Sequence, residues 1–189
     1  MTSTMTRREI LQAAAPEHGA LRISPGYRGK AESMLKTARQ HGLPGILCKR
    51  FDSVYEPGTR SSNWRKVKIV REQNFILGGW TPGRGARAAI ASLLLGYHTP
   101  EGELAYAGEA GVPASEESLE ILRTRLKGCS AKESPFGGIP PSKVVRYLSP
   151  RLVARVRFQG WTGGRIRDPV YRGLKLDKDP ADVVREEEE

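Results

Sequence analysis

From Lys68 onward the chain is cut by glycine and proline into apolar runs of strand length, and that spacing restricts it to a mainly β fold. Residues 74–80, 90–97 and 103–108 are each too short for a buried helix. Between them stand Thr81-Pro82-Gly83 and Pro100-Glu101-Gly102, which combine the fixed φ of proline with the open φ of glycine that tight turns need. A single helix interrupts the strands. Ser115 is placed to cap it, Glu116 and Glu117 suit its positive end, Leu119, Leu122 and Leu126 share one stripe, and Gly128 follows Lys127 as the stop. Strands resume at 143–148 and 152–161, the second alternating Ala154, Val156 and Phe158 with Arg155, Arg157 and Gln159.

Five strands with a helix between the third and fourth predict an OB-fold, a five-stranded Greek-key barrel that commonly binds nucleic acid. Arg155 and Arg157 then face either a phosphate backbone or plain solvent, since both suit the polar side of an amphipathic strand. A formal net charge of +10 favours polyanionic partners through counterion release. The closing run from Glu186 to Glu189 opposes that balance and reads as a solvated acidic tail.

The opening third has a different character. Residues 6–15 are helix-prone and closed by Pro16, residues 20–23 look extended, and Ser24-Pro25-Gly26 turns the chain. A helix over 30–41 has Ala31, Leu35 and Ala38 on one face and Gly42 as its stop. The apolar strand Gly45-Ile46-Leu47-Cys48 then delivers Lys49, a loop containing Pro57 and Gly58 comes next, and Trp64-Arg65-Lys66-Val67-Lys68 reads as a second strand. Period-two alternation puts Trp64, Lys66 and Lys68 on one face, and Lys49 on a neighbouring strand would add a third ammonium. Such a surface suits phosphate, and it equally fits a solvated edge strand guarded by lysines. So few elements cannot easily bury a core of their own, so this part is expected to be an incomplete domain or to pack on the domain after it.

Cys48 and Cys129 form no CxxC motif, which points to a reducing cytoplasm, and His18, His41 and His98 have no ligand spacing, which excludes a structural zinc. The longest apolar run, residues 88–97, is too short to cross a bilayer, and no apolar segment of a secretory signal comes after Arg7 and Arg8.

Read in order, PGILCK at 44–49, DSVYEPGTRS at 52–61, WRKVK at 64–68, REQNFILGGWTP at 71–82, LLLGYH at 93–98, YAG at 106–108, SPRLVARVRFQGWT at 149–162 and RDPVYRGLKLDK at 167–178 resemble the ATP-dependent DNA ligases of bacterial end-joining systems. The resemblance implies the end of an adenylation domain over 1–70, an OB-fold domain over 71–185 and a tail over 186–189. In the family a lysine of a Lys-x-Asp-Gly motif takes up adenylate from ATP, the adenylate passes to the 5′-phosphate at a DNA nick, and the 3′-hydroxyl displaces it. Carried over by position, Lys49, Lys66 and Lys68 resemble the lysines that contact the α-phosphate. Lys175, Asp177 and Lys178 resemble the closing motif that orients the outer phosphates, with Lys175 in place of the usual arginine. ATP and Mg2+ are the implied cofactors and nicked double-stranded DNA the implied partner, with Arg65, Arg84, Arg87, Arg155 and Arg157 as its basic contacts.

The departures shape the expectation too. Lys-x-Asp-Gly does not occur in the sequence, Pro44 stands where the family has glutamate, and Arg157 and Gly160 stand at positions usually acidic. These imply a chain inactive alone, contributing to nick sealing beside a separate chain that carries the first half of the adenylation domain. The alternatives are a non-catalytic DNA-binding module and a truncated ligase remnant.

Overall fold

The computed structural model describes residues 4–15, 23–83, 90–112, 116–138 and 144–186. They fall into two compact units, Met1–Ile69 and Val70–Glu189.

The first unit holds helix α1 (Thr4–Ala14), helix α2 (Ala31–Gln40) and the antiparallel pair β1 (Gly45–Lys49) and β2 (Trp64–Lys68). The end of α2 is set by Gly42. With φ at 62° it lets the Gly42 amide donate to Arg39 and the Leu43 amide donate to Ala38, the two reversed bonds of a Schellman ending. Of the expected stripe, Ala38 is buried, Leu35 half-buried and Ala31 exposed, so α2 covers the sheet with its C-terminal half. At Gly45 a Cβ would run into the Val67 carbonyl and stand 3.0 Å from the Lys68 Cα, so glycine is what lets β1 approach β2 there.

The second unit is built on β3 (Arg71–Pro82), β4 (Ile90–His98), β5 (Leu104–Gly111), β6 (Arg146–Tyr147), β7 (Val153–Phe158) and β10 (Val170–Lys175), with the separate hairpin β8 (Gly160–Thr162) and β9 (Arg165–Arg167). Helix α3 (Glu116–Lys127) sends Leu119, Leu122 and Leu126 into the same core as Phe75, Leu77, Leu93, Leu95, Ala154, Val156 and Phe158. Its expected cap, Ser115, lies outside the described residues.

The five-stranded barrel expected from the sequence is corrected. The sheet has six strands, and its pairings run in a ring from β3 through β4, β5, β10 and β7 back to β3. One joint of that ring, β5 with β10, is a single parallel pair, Val170 with Gly111, so the sheet is ring-like without the continuous ladder of a barrel. Of the strand expected at 143–148, residue 143 lies outside the described residues, and the rest shrinks to the two residues of β6, set on the edge of β3. The place it was to fill belongs to β10, hidden in the sequence by a bulge between Tyr171 and Gly173 that breaks the alternation. The run expected at 152–161 divides before Gly160 into β7 and β8.

β3 and β4 are buried on both sides because a second cluster covers the outer face: Ile76, Leu94, Leu104, Phe136, Val153 and Val183. Phe136 lies directly on Gly78 and Gly96. A Cβ at Gly96 would stand 2.8 Å from the Phe136 ring and 2.9 Å from the Ala105 carbonyl oxygen, and the backbone oxygen cannot yield. Gly96→Ala is therefore expected to lower stability by about 1–3 kcal/mol through overpacking, read as an earlier urea midpoint with an unchanged slope.

On the same side, a polar row crosses three strands: Thr81 Oγ1 meets Ser92 Oγ at 2.6 Å, Ser92 donates to Glu109 at 2.9 Å, and Tyr106 donates to Glu109 at 3.5 Å. Burial, helped by the Glu109 charge, pushes the Tyr106 hydroxyl from its ordinary 10.0 up to about 12, against a smaller opposite pull from Arg165. The folded value lies above the unfolded one, so this contribution is complete below pH 10 and is lost as pH rises toward 12. Tyr106→Phe should remove about 1–2 kcal/mol of that alkaline decline, measured as the difference between the two proteins' urea stabilities across the window.

Candidate functional site

The antiparallel register of β1 and β2 builds the lysine face. Gly45 pairs with Lys68, Leu47 with Lys66 and Lys49 with Trp64, so Lys49, Lys66 and Lys68 project to one side together with Leu47 and Trp64. All three lysines are exposed, and so is Leu47. Ile46, Cys48, Arg65 and Val67 take the other side. No two of the lysines are directly opposite: Lys49 is the diagonal neighbour of Lys66, a spacing of about 7–8 Å that long side chains can bridge towards one phosphoryl group.

Lys49 Nζ lies 4.1 Å above the Trp64 ring. Beside it, an open depression of about 410 Å³ is lined by Cys48, Lys49, Arg50, Ser62, Asn63 and Arg65. Arg50 forks onto Asp52 at 2.8 and 3.2 Å, and that hydrogen bond first, with the guanidinium charge adding to it, holds the Asp52 carboxyl below the usual carboxylate range. The donor set of this hairpin, three ammonium groups on one face, fits the phosphates of a nucleotide. Magnesium has no comparable set: among the described residues no group of three His, Cys, Asp or Glu side chains could hold a metal ion.

The remaining sequence candidates sit in the second unit. Lys175, at the end of β10, is 3.0 Å from Asp177, whose carboxyl it holds below the usual range, and Lys178 pairs with Asp182 at 3.6 Å. Arg155 and Arg157 both point outward from β7. Arg155 is engaged by Glu72 of β3 at 2.9 Å, and Arg172 of β10 approaches the same carboxylate at 3.9 Å. Arg157 is the register partner of Glu72. Across β3, β7 and β10 one carboxylate, Glu72, thus contacts two guanidinium groups, with Arg157 opposite it in register. Glu72 and Arg172 were missed in the sequence, because their pairing to Arg155 exists only through strand register. Arg84 and Arg87 lie outside the described residues, as does His18. Cys48 and Cys129 are free thiols, and no helix among the described residues is long and apolar enough to cross a membrane.

Comparison with known proteins finds a match in each of the two units. Residues 1–68 match the family described as ATP dependent DNA ligase domain, and residues 86–178 match ATP dependent DNA ligase C terminal region. The multifunctional non-homologous end joining protein LigD of Mycolicibacterium smegmatis is 38% identical over 185 residues, which is 95% of this chain and 24% of that protein. The crystal structure of the ligase domain of M. tuberculosis LigD is 38% identical with a TM-score of 0.60, covering 98% of this chain and 61% of that one. A mycobacterial DNA ligase D solved with ATP and MES is 36% identical with a TM-score of 0.56, covering 98% and 60%. The chain spans about a quarter of the length of its curated LigD relatives.

These matches correct three expectations. Residues 1–68 are matched as ligase-domain sequence, so they are not an unfinished piece attached to an OB-fold, and the two helices and hairpin form a compact unit. The truncated remnant and the non-catalytic binding module are overturned by the paired ligase-domain and C-terminal matches along one chain. Inactivity argued from the missing Lys-x-Asp-Gly falls with them. Matched in order by two models of one family, the chain belongs to the ATP-dependent DNA ligases.

Proposed function

We propose that this chain serves ATP-dependent joining of DNA strands in end-joining repair of the LigD type. The observation that carries the reading is the face of Lys49, Lys66 and Lys68 on a hairpin within the segment matched as ligase domain. ATP, when bound, supplies the adenylyl group that activates the 5′-phosphate of a nick. The three ammonium groups would hold phosphate oxygens and offset the negative charge that grows on them during in-line displacement. Lys175, Asp177 and Lys178 would act on the outer phosphates, Lys175 as a point charge without the two-pronged geometry of arginine. Magnesium would be held mainly by the phosphates themselves. Nicked duplex DNA is the proposed partner, with Arg65, Arg84, Arg87, Arg155 and Arg157 on its backbone. The two free thiols suit a cytoplasmic setting.

Two substrates test the chemistry. A nick that already carries a 5′-adenylate needs only the final displacement, whereas a 5′-phosphorylated nick needs ATP as well. The chain should seal the adenylated nick without ATP, and the double variant Lys66→Ala, Lys68→Ala should do so about 100-fold more slowly, the scale of losing an electrostatic contact to the reacting group. Failure to seal the adenylated nick at any protein concentration would sink the proposal. Sealing of the phosphorylated nick that rises on adding a chain bearing Lys-x-Asp-Gly would support a separate partner chain, and no stimulation would remove it.

The arginine face makes its own prediction. Arg157→Ala should weaken nicked-duplex binding and reduce the slope of log affinity against log salt by about 1, the loss of one phosphate contact. Glu72→Gln, which keeps the shape beside Arg155 and removes the charge, should strengthen binding. Both are read by fluorescence anisotropy over a salt series, and unchanged slopes in the two variants would remove this face from the interface.

A further inference from the structure

The lysine face is connected to the rest of its unit by a row of rings and cations. Lys49 Nζ stands 4.1 Å above Trp64, Trp64 meets Tyr55 with centroids 5.8 Å apart at 45°, and the Arg7 guanidinium carbon lies 3.9 Å from the centre of the Tyr55 ring. Four separate pieces of chain meet in it: α1, the loop between the strands, β2 and β1. The row adds little to the core, since Tyr55 is 42% exposed and Lys49 is on the surface. What it limits is the freedom of one side chain. Lysine carries its charge on a flexible four-carbon stem, and an ammonium resting on an indole face keeps far fewer rotamers than one in water.

We propose that Tyr55 and Trp64 are positioning residues for Lys49, holding its ammonium over the lysine face until a phosphate oxygen takes it. The proposal rests on the reading of Lys49 as a phosphate contact. Trp64 can act this way because it is the register partner of Lys49 and shares its face with Lys66 and Lys68. Its backbone is fixed in β2, where its amide donates to the Ser61 carbonyl at 3.3 Å, and Tyr55 lies against its ring. Tyr55 in turn is set by Arg7. The strength is suited to release: an exposed cation–π contact is weaker than a charge-assisted bond to phosphate, so the ammonium is aimed without being trapped.

The test uses the whole chain and two readouts. In lysine-labelled protein the Lys49 side-chain methylenes, assigned by their loss in Lys49→Ala, should resonate upfield of the other lysines because of the indole ring current. Trp64→Leu should return them to the common position and Trp64→Phe should keep part of the shift. In sealing of the adenylated nick, Trp64→Leu and Tyr55→Leu should lower the maximal rate about three- to fivefold with little change in KM, and Trp64→Phe should recover part of the loss. Methylenes at the common position in the unsubstituted protein would overturn the proposal even if no sealing were seen. Sealing at full rate by both leucine variants, where Lys49→Ala falls about tenfold or more, would overturn positioning while leaving the lysine face intact. An unaffected Lys49→Ala would overturn both.

Discussion

The register of β1 on β2 is the constraint on which the candidate site depends. Side chains alternate along a strand, so a slip of one residue would carry Lys66 and Lys68 to the side now held by Arg65 and Val67 and would separate Lys49 from Trp64. Several features hold the register in place. Gly45 lets the strands close at one end, the Arg50 amide donates to the Asn63 carbonyl at the other, and the Ile69 amide donates to Pro44 just beyond the pair. Like charges on one face repel one another, so the lysines do not draw themselves together. Their convergence is imposed by backbone pairing and half-buried apolar residues on the opposite side, Ile46 and Val67.

In the second unit the equivalent constraint is burial on both faces of β3 and β4. Leu93 and Leu95 enter the inner core with Phe75 and Leu77, while Leu94 and Ile76 enter the outer cluster under Phe136 and Val183. Two-sided burial explains why β3 can run for twelve residues without alternating and why glycine is needed at Gly78 and Gly96. It also fixes β7, which must present Ala154, Val156 and Phe158 inward and so turns Arg155 and Arg157 out. The thin joint between β5 and β10 costs little, because β10 is already held along β7.

How much the sequence made legible depends on the range of the forces involved. Period-two patterns, turn residues and the α3 stripe are local, and they located β1, β2, β4 and α3 closely, found β3 and β5 with shorter bounds, and found β7 fused to β8. The lysine face was readable for the same reason, since Trp64, Lys66 and Lys68 lie within one strand. Contacts set by distant pairing were not readable. Arg155 and Glu72 are neighbours only because β7 lies against β3, and Lys49 reaches Trp64 only through the hairpin register. β10 was lost because its bulge at Gly173 mimics a loop, and the strand at 143–148 was overestimated because alternating residues beside a glycine- and proline-rich loop need not pair. The reading of the first unit as unfinished applied a correct principle about core size to too little of the context: a segment this small can still be compact once α2 covers its hairpin.

The net charge of the chain overstates its freely available positive charge, and the difference bears on how the surface would work. Arg50 is held by Asp52, Arg155 by Glu72, Lys175 by Asp177, Lys178 by Asp182, and Lys49 rests on Trp64. Each of these contacts is largely exposed. Exposed ion pairs contribute little, whereas a charge-assisted hydrogen bond to a well-placed anion contributes more. A phosphate can therefore displace such a partner at little cost. Until it does, the partner keeps a long side chain from exploring its other rotamers, so that much of the ordering entropy is lost on folding rather than on binding. On the proposed function, the carboxylates and rings beside the cations would be part of the binding surface, because they would orient charges otherwise spread through solvent.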